Sequence, residues 1–207
     1  MKTFCRGLLY SVVGLALAGT LHAGKYNPDK NIGDAAPAWA DLPGADGESH
    51  SLASLKDRKA VVVVFTCNSC PYAVDVEERL LSLDKYCKAR EVALVAINVN
   101  KVAEDLLPAM KQRAKEKKFT FPYLFDESQQ IAKKFGARYT PEFFVLDESR
   151  KIAYMGSLDD SPDGKAVKTK HVQSAIESAL QGKAVTVTET VPIGCRIRFD
   201  RVKRTRK

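Results

Sequence analysis

The chain has 207 residues, five cysteines and a formal net charge of +8. That length allows one well-buried domain and is too short for two comfortable ones, and so few cysteines exclude a fold held together by disulfides. The basic balance is not a property of the whole chain, because residues 24–195 carry 24 basic and 24 acidic side chains.

The first 23 residues read as a leader. Lys2 and Arg6 give a positive start, Gly7 to Leu21 carries no charge, and small residues stand at Ala16, Ala18 and Ala23. This order of basic, apolar and small residues is that of a secretory signal peptide. Its uncharged run is shorter than the ~20 residues that span a bilayer as a helix. Cleavage is expected after Ala23, which removes Cys5 and predicts a periplasmic or extracellular protein. In such a compartment Cys67, Cys70, Cys87 and Cys195 can hold disulfides.

The domain is expected over residues 24–184. Turn residues between Gly33 and Lys59 suggest an N-terminal hairpin with short strands around Ala38–Leu42 and Ser49–Leu52. Ala60–Thr66 is a continuous β-branched run, the pattern of a strand buried on both faces. A helix follows over Pro71–Ala89, with Val76, Leu80, Leu83 and Cys87 on one face. Val92–Val99 predicts the next strand. Ala103–Lys118 predicts a helix that Pro108 should break or kink. Phe121–Phe125 is extended, and Ser128–Phe135 is a helix stopped by Gly136. Glu142–Asp147 and Lys151–Met155 form a strand pair, and Lys165–Leu180 is a last helix ended by Gly182.

Residues 185–207 form an extended, basic C-terminal tail. In it Ile197 and Phe199 share a face opposite Arg196 and Arg198, which suggests a return to the sheet edge. The tail reads as a solvated terminus or as a patch for an anionic surface. No aromatic residue interleaves its charges after Phe199, which argues against nucleic acid. The whole predicts an α/β fold, a central mixed β-sheet flanked by helices.

Cys67-Asn68-Ser69-Cys70-Pro71 lies between the buried strand and a helix. A thiolate at a helix N-terminus meets unpaired N–H groups and the positive end of the dipole, so its pKa falls. A second sulfur three residues away can resolve a mixed disulfide. Pro71 suits the first helical position and would make Cys70 the N-cap. A structural disulfide or half a zinc site are the plainer alternatives. Zinc would need two further ligands at comparable spacing, whereas His50 and His171 stand alone. Tyr139-Thr140-Pro141-Glu142 places a proline directly before an apolar strand. Cys87, on an apolar helix face, and Trp39, Phe65, Phe143 and Phe144 are expected in the core.

The stretches FTCNSCPYA, FPYLFDESQQIAKKFGARYTPEFFVLD and VPIGCRIRF resemble the peroxiredoxin-like branch of the thioredoxin superfamily, with its alkyl hydroperoxide reductase/thiol-specific antioxidant (redoxin) domain. The resemblance runs from about Gly33 to Phe199. It implies a thioredoxin-like fold and a cis Pro141 opposite the cysteine pair, with Thr140 lining the substrate groove. It also implies Cys67 as the attacking sulfur, by analogy with thioredoxin, and Cys195 as a possible third redox thiol. In peroxiredoxins a threonine stands three residues before the peroxidatic cysteine. Here Cys67 takes that place and Cys70 the peroxidatic one, and Arg138 is the arginine nearest the Thr-Pro motif.

Three functions follow as expectations. The leading one is thiol–disulfide exchange by Cys67 and Cys70 on protein or small-molecule disulfides, with a thiol reductant and neither metal nor organic cofactor. The alternatives are a thiol peroxidase, with Cys70 peroxidatic and Cys67 resolving, and a Cu(I)-binding chaperone on the same fold. Cys195, carried by a tail along the sheet edge, is expected to be held by structure and need not lie near the pair. It should form no stable disulfide with either motif cysteine.

Overall fold

The computed structural model describes residues 24–201. The leader expected over residues 1–23 and the last basic residues of the tail lie outside the described residues. Among the described residues no helix is long and apolar enough to cross a membrane.

The sheet is built on β3 (Ala60–Phe65), all six residues of which are buried. It pairs in parallel with β4 (Val92–Asn98), which pairs in parallel with β5 (Tyr123–Phe125). On its other side β3 meets β7 (Glu142–Leu146) antiparallel, and β7 meets β8 (Ile152–Gly156) antiparallel. The order is therefore β5-β4-β3-β7-β8, the mixed sheet that the apolar runs predict. Val62 and Val64 face one core with Leu80, Leu83, Cys87, Met110 and Ile176. Val61, Val63 and Phe65 face another with Trp39, Phe135, Phe144 and Ile197. Two apolar cores explain why β3 shows no polar alternation.

Helices α1 (Pro71–Asp75) and α2 (Glu77–Lys88) stand where one helix was expected. The bend falls at Val76, yet the Leu80 N–H still bonds the Val76 carbonyl at 2.8 Å. Cys87 is wholly buried on α2, as its apolar stripe predicts. Helix α3 (Leu107–Lys117) begins at Leu107, with Pro108 inside its first turn. The proline opens the helix here and does not kink it, because a first-turn N–H has no partner to lose. Residues Ala103–Asp105 form a separate 3-10 turn.

Helix α4 (Gln130–Phe135) ends at Gly136, whose φ of 69° is the left-handed stop expected of it. Helix α5 is shorter than predicted, His171–Leu180, because side chains of Asp160, Ser161 and Asp163 take backbone N–H groups of residues 165–168 into turns. The N-terminal hairpin is reduced to β1 (Leu42–Pro43) and β2 (Ser49–His50), and Leu52–Leu55 is a 3-10 turn.

The tail returns twice. Glu189 lies beside Met155 at the β8 edge, with Met155 N–H bonding Thr188 O at 3.0 Å. Then β9 (Cys195–Arg196) pairs antiparallel with β6 (Tyr139–Thr140), outside the main sheet. Ile197 is buried and Phe199 packs on the same core, while Arg196 and Arg198 are exposed, as the alternation predicts.

Candidate active site

Strand β3 ends at the sheet's carboxyl edge, and the chain turns through Cys67–Cys70 into α1. Cys70 is the N-cap of α1 and Pro71 opens it. The Thr140–Pro141 peptide is cis. It brings Thr140 against both sulfurs: Cys67 Sγ is 3.5 Å from Thr140 Oγ1, and the Cys70 thiol donates to the Thr140 carbonyl at 3.0 Å. Cys67, Cys70 and Ala73 form one buried cluster. All four described cysteines are free thiols.

The electrostatics separate the two motif thiols. Cys70 is held down to about 4, first by the hydrogen bond from Cys67 and then by Cys195, the Thr140 hydroxyl and the Ala73 amide, against burial. Cys67 is pushed well above the usual thiol range, first by sharing its proton with Cys70 and then by burial. The first charge of the pair is therefore favoured on Cys70 over Cys67, and forming it gives up the Cys70 thiol's bond to the Thr140 carbonyl. That favours Cys70 over Cys67 as the attacking sulfur, because the N-cap position gives it the helix N-terminus.

Two buried carboxylates fasten the site, Asp105 under the loop and Glu142 under the Thr-Pro turn. The Asp105 carboxylate, wholly buried, accepts the backbone N–H of Asn68 at 2.8 Å and of Ser69 at 2.9 Å, and the Ser69 hydroxyl at 2.6 Å. Asn68 is fastened on its other side by Tyr123, whose hydroxyl donates to Asn68 Oδ1 at 3.0 Å, and by the Glu104 carbonyl at 2.7 Å. No local motif marks Asp105. The available signal is topological: β3 and β4 are parallel neighbours, so the segments leaving their carboxyl ends meet.

Glu142 is the second. It is buried beneath the Thr-Pro turn, and its Oε2 accepts the N–H groups of Arg138 at 2.8 Å and Tyr139 at 2.9 Å. Burial pushes its carboxyl up to about 7, against the pull of those two N–H groups.

Cys195 is not remote. Its register partner in β6 is Thr140, and its side chain packs on the Cys67–Cys70 cluster. The tail does follow a strand edge, but that strand is β6, which carries the substrate-groove residues. The close approach depends on Gly194, where a Cβ would lie 2.1 Å from the Thr140 carbonyl oxygen. Arg138 stands elsewhere, its guanidinium 3.5 Å from Asp29. His50 pairs with Asp46 at 2.9 Å and His171 stacks on Tyr154, so neither joins the thiols.

Beside the pair runs a shallow cleft lined by Tyr72, Val76, Arg79, Pro141, Leu158 and Ile193. Tyr72 and Ile193 are exposed apolar side chains at its rim. Arg79 is fastened to Asp159 at 2.6 Å and to the Ser161 and Pro162 carbonyls.

Residues 31–175 match the family described as Redoxin. No curated protein matches the chain. A hypothetical protein from Sinorhizobium meliloti 1021 is 36% identical, with a TM-score of 0.77 over 83% of this chain and 96% of its own. The peroxidoxin BcpB from Mycobacterium tuberculosis, 21% identical, aligns with a TM-score of 0.55 over 72% of this chain and 94% of its own. A thiol:disulfide interchange protein of the thioredoxin family from Chlorobium tepidum TLS, 22% identical, gives 0.57 over 73% and 99%. These last two share the fold, which is thioredoxin-like, as the resemblance implies.

Proposed function

The chain belongs to the redoxin family, and from that premise we propose that it is a thiol–disulfide oxidoreductase working through Cys67 and Cys70. The observation that carries this reading is the contact of the two thiols at the N-cap of α1, facing the cis Thr140–Pro141 turn. The Cys70 thiolate attacks a substrate disulfide, forming a mixed disulfide and releasing one substrate thiolate. Cys67 then attacks Cys70 Sγ, closing Cys67–Cys70 and releasing the second, with the Cys67 proton going to solvent or the leaving sulfur. A thiol reductant returns two electrons. Substrates are protein or small-molecule disulfides, admitted along the cleft at Pro141. Export is part of this reading, supported by the basic, apolar and small order of residues 1–23.

The test is reduction of a model protein disulfide with a supplied dithiol. Cys67→Ser and Cys70→Ser should each abolish acceleration. Activity that survives in both variants removes the assignment.

The low thiol pKa of Cys70 also favours a second reading, thiol peroxidase activity with Cys70 as the peroxidatic residue. It ranks behind exchange, because Cys67 stands where a hydroxyl donor is expected and Arg138 is engaged with Asp29.

A further inference from the structure

The motif sulfurs are almost closed off: Cys67 is 3% exposed and Cys70 2%. Cys195 packs on the same cluster and is only half-buried. It is held there by pairing with Thr140, the residue that also touches both motif sulfurs.

We propose that Cys195 is the relay thiol through which the oxidised Cys67–Cys70 pair is recycled. This rests on the exchange reading above. The Cys195 thiolate attacks Cys70 Sγ, the Cys70–Cys195 bond forms as the Cys67–Cys70 bond breaks, and Cys67 leaves as a thiolate that takes up a proton. No net oxidation occurs in this step. An external dithiol, most simply a protein dithiol, then attacks Cys195 Sγ and expels the Cys70 thiolate. Its second thiol resolves the new mixed disulfide, so two electrons enter and Cys195 is freed.

The surroundings favour each leaving group in turn. Departing Cys67 faces the Thr140 hydroxyl, whose Oγ1 lies at 3.5 Å. Departing Cys70 is the low-pKa sulfur, and a low-pKa thiol leaves faster. In the reduced state the Cys195 thiol is pushed up to about 11, first by burial and then by the Cys70 charge. Once Cys70 is bound in a disulfide that charge is gone, so Cys195 ionises more readily in the state where it has to attack.

The test uses Cys67→Ser in the full chain carrying Cys5→Ser, with the aromatic disulfide dithiobis(nitrobenzoate) as probe. Cys70 should release one thionitrobenzoate. Cys195 should then release a second in a step independent of protein concentration, as if its thiol were present at about millimolar concentration or above. Peptide mapping should find a Cys70–Cys195 bridge. A stable Cys70 mixed disulfide with no bridge, while the chain with Cys67 intact closes Cys67–Cys70 normally, overturns the relay and leaves the exchange reading standing. A chain with Cys67 intact that never closes its pair removes both. In the oxidised chain, Cys195→Ser should slow reduction by a protein dithiol far more than reduction by a small one. Equal slowing of both also overturns the relay.

Discussion

The Asp105 carboxylate and Ser69 are joined twice, through the Ser69 N–H at 2.9 Å and its hydroxyl at 2.6 Å. The same carboxylate takes the Asn68 N–H, so the two residues between the cysteines are held by a side chain 37 and 36 positions away. A loop fastened in this way holds the two sulfurs in place, and it accounts for the first prediction.

Asp105→Ala should leave the half-buried Asn68 and Ser69 N–H groups without acceptors. Each such loss costs about 1–3 kcal/mol, so the variant should unfold at clearly lower denaturant concentration. The Cys67 thiol should also ionise more easily, since the Asp105 charge is among the groups pushing it up. Urea unfolding and thiol alkylation against pH check the two effects. Unchanged stability would show that the loop stands without Asp105.

Gly194→Ala should displace the tail. Its methyl would meet the Thr140 carbonyl oxygen at 2.1 Å, a backbone atom that cannot swing aside. Overpacking of this kind costs about 1–3 kcal/mol. The variant should lose Cys70–Cys195 cross-linking while keeping Cys67–Cys70 closure, which peptide mapping of each oxidised form would show.

Thiolate absorbance should rise through about pH 4 and stay level across neutral pH, carrying one charge per pair. Cys70→Ser should remove that rise. A lowered folded pKa stabilises the fold increasingly as pH climbs from about 4 towards the ordinary thiol value, and the gain is lost on acidification. A first thiolate appearing only above pH 8 would place the charge elsewhere.

Glu142 has the opposite sign. Its folded pKa is raised from 4.5 to about 7, so its contribution is intact below 4.5 and is lost as pH rises through 7. Glu142→Gln, which cannot ionise, should therefore gain stability relative to the parent between pH 5 and pH 8. Denaturant midpoints at those two values check it, and a constant difference would contradict the assignment.

Mixed rapidly with hydrogen peroxide, Cys70 should oxidise no faster than an ordinary exposed thiol at equal thiolate fraction. A positioned donor is worth roughly 10²–10³ in rate, and the Cys67 thiol is a weaker donor than a hydroxyl. A rate orders of magnitude higher would put the peroxidase reading first.

The sequence by itself determined the sheet and the pair. Ala60–Thr66, β-branched throughout its middle, reads as a strand covered on both faces, and Cys67, Cys70 and Pro71 mark a helix start by local chemistry that needs no distant partner. Gly136 likewise stops α4 through its own backbone freedom. Tertiary structure decided what depends on neighbours. Pro108 reads as a kink in a long helix, but once Leu106 is extended it opens a new one. Asp105 looks like an ordinary surface charge until packing buries it under N–H groups of a distant segment, and Glu142 until the Thr-Pro turn lays the Arg138 and Tyr139 N–H groups on it. Ile197 and Phe199 announce a strand edge, but only the fold chooses β6. That choice lays Cys195 on Thr140, because a register between segments 55 residues apart is set by packing and by the close approach Gly194 allows, not by local spacing.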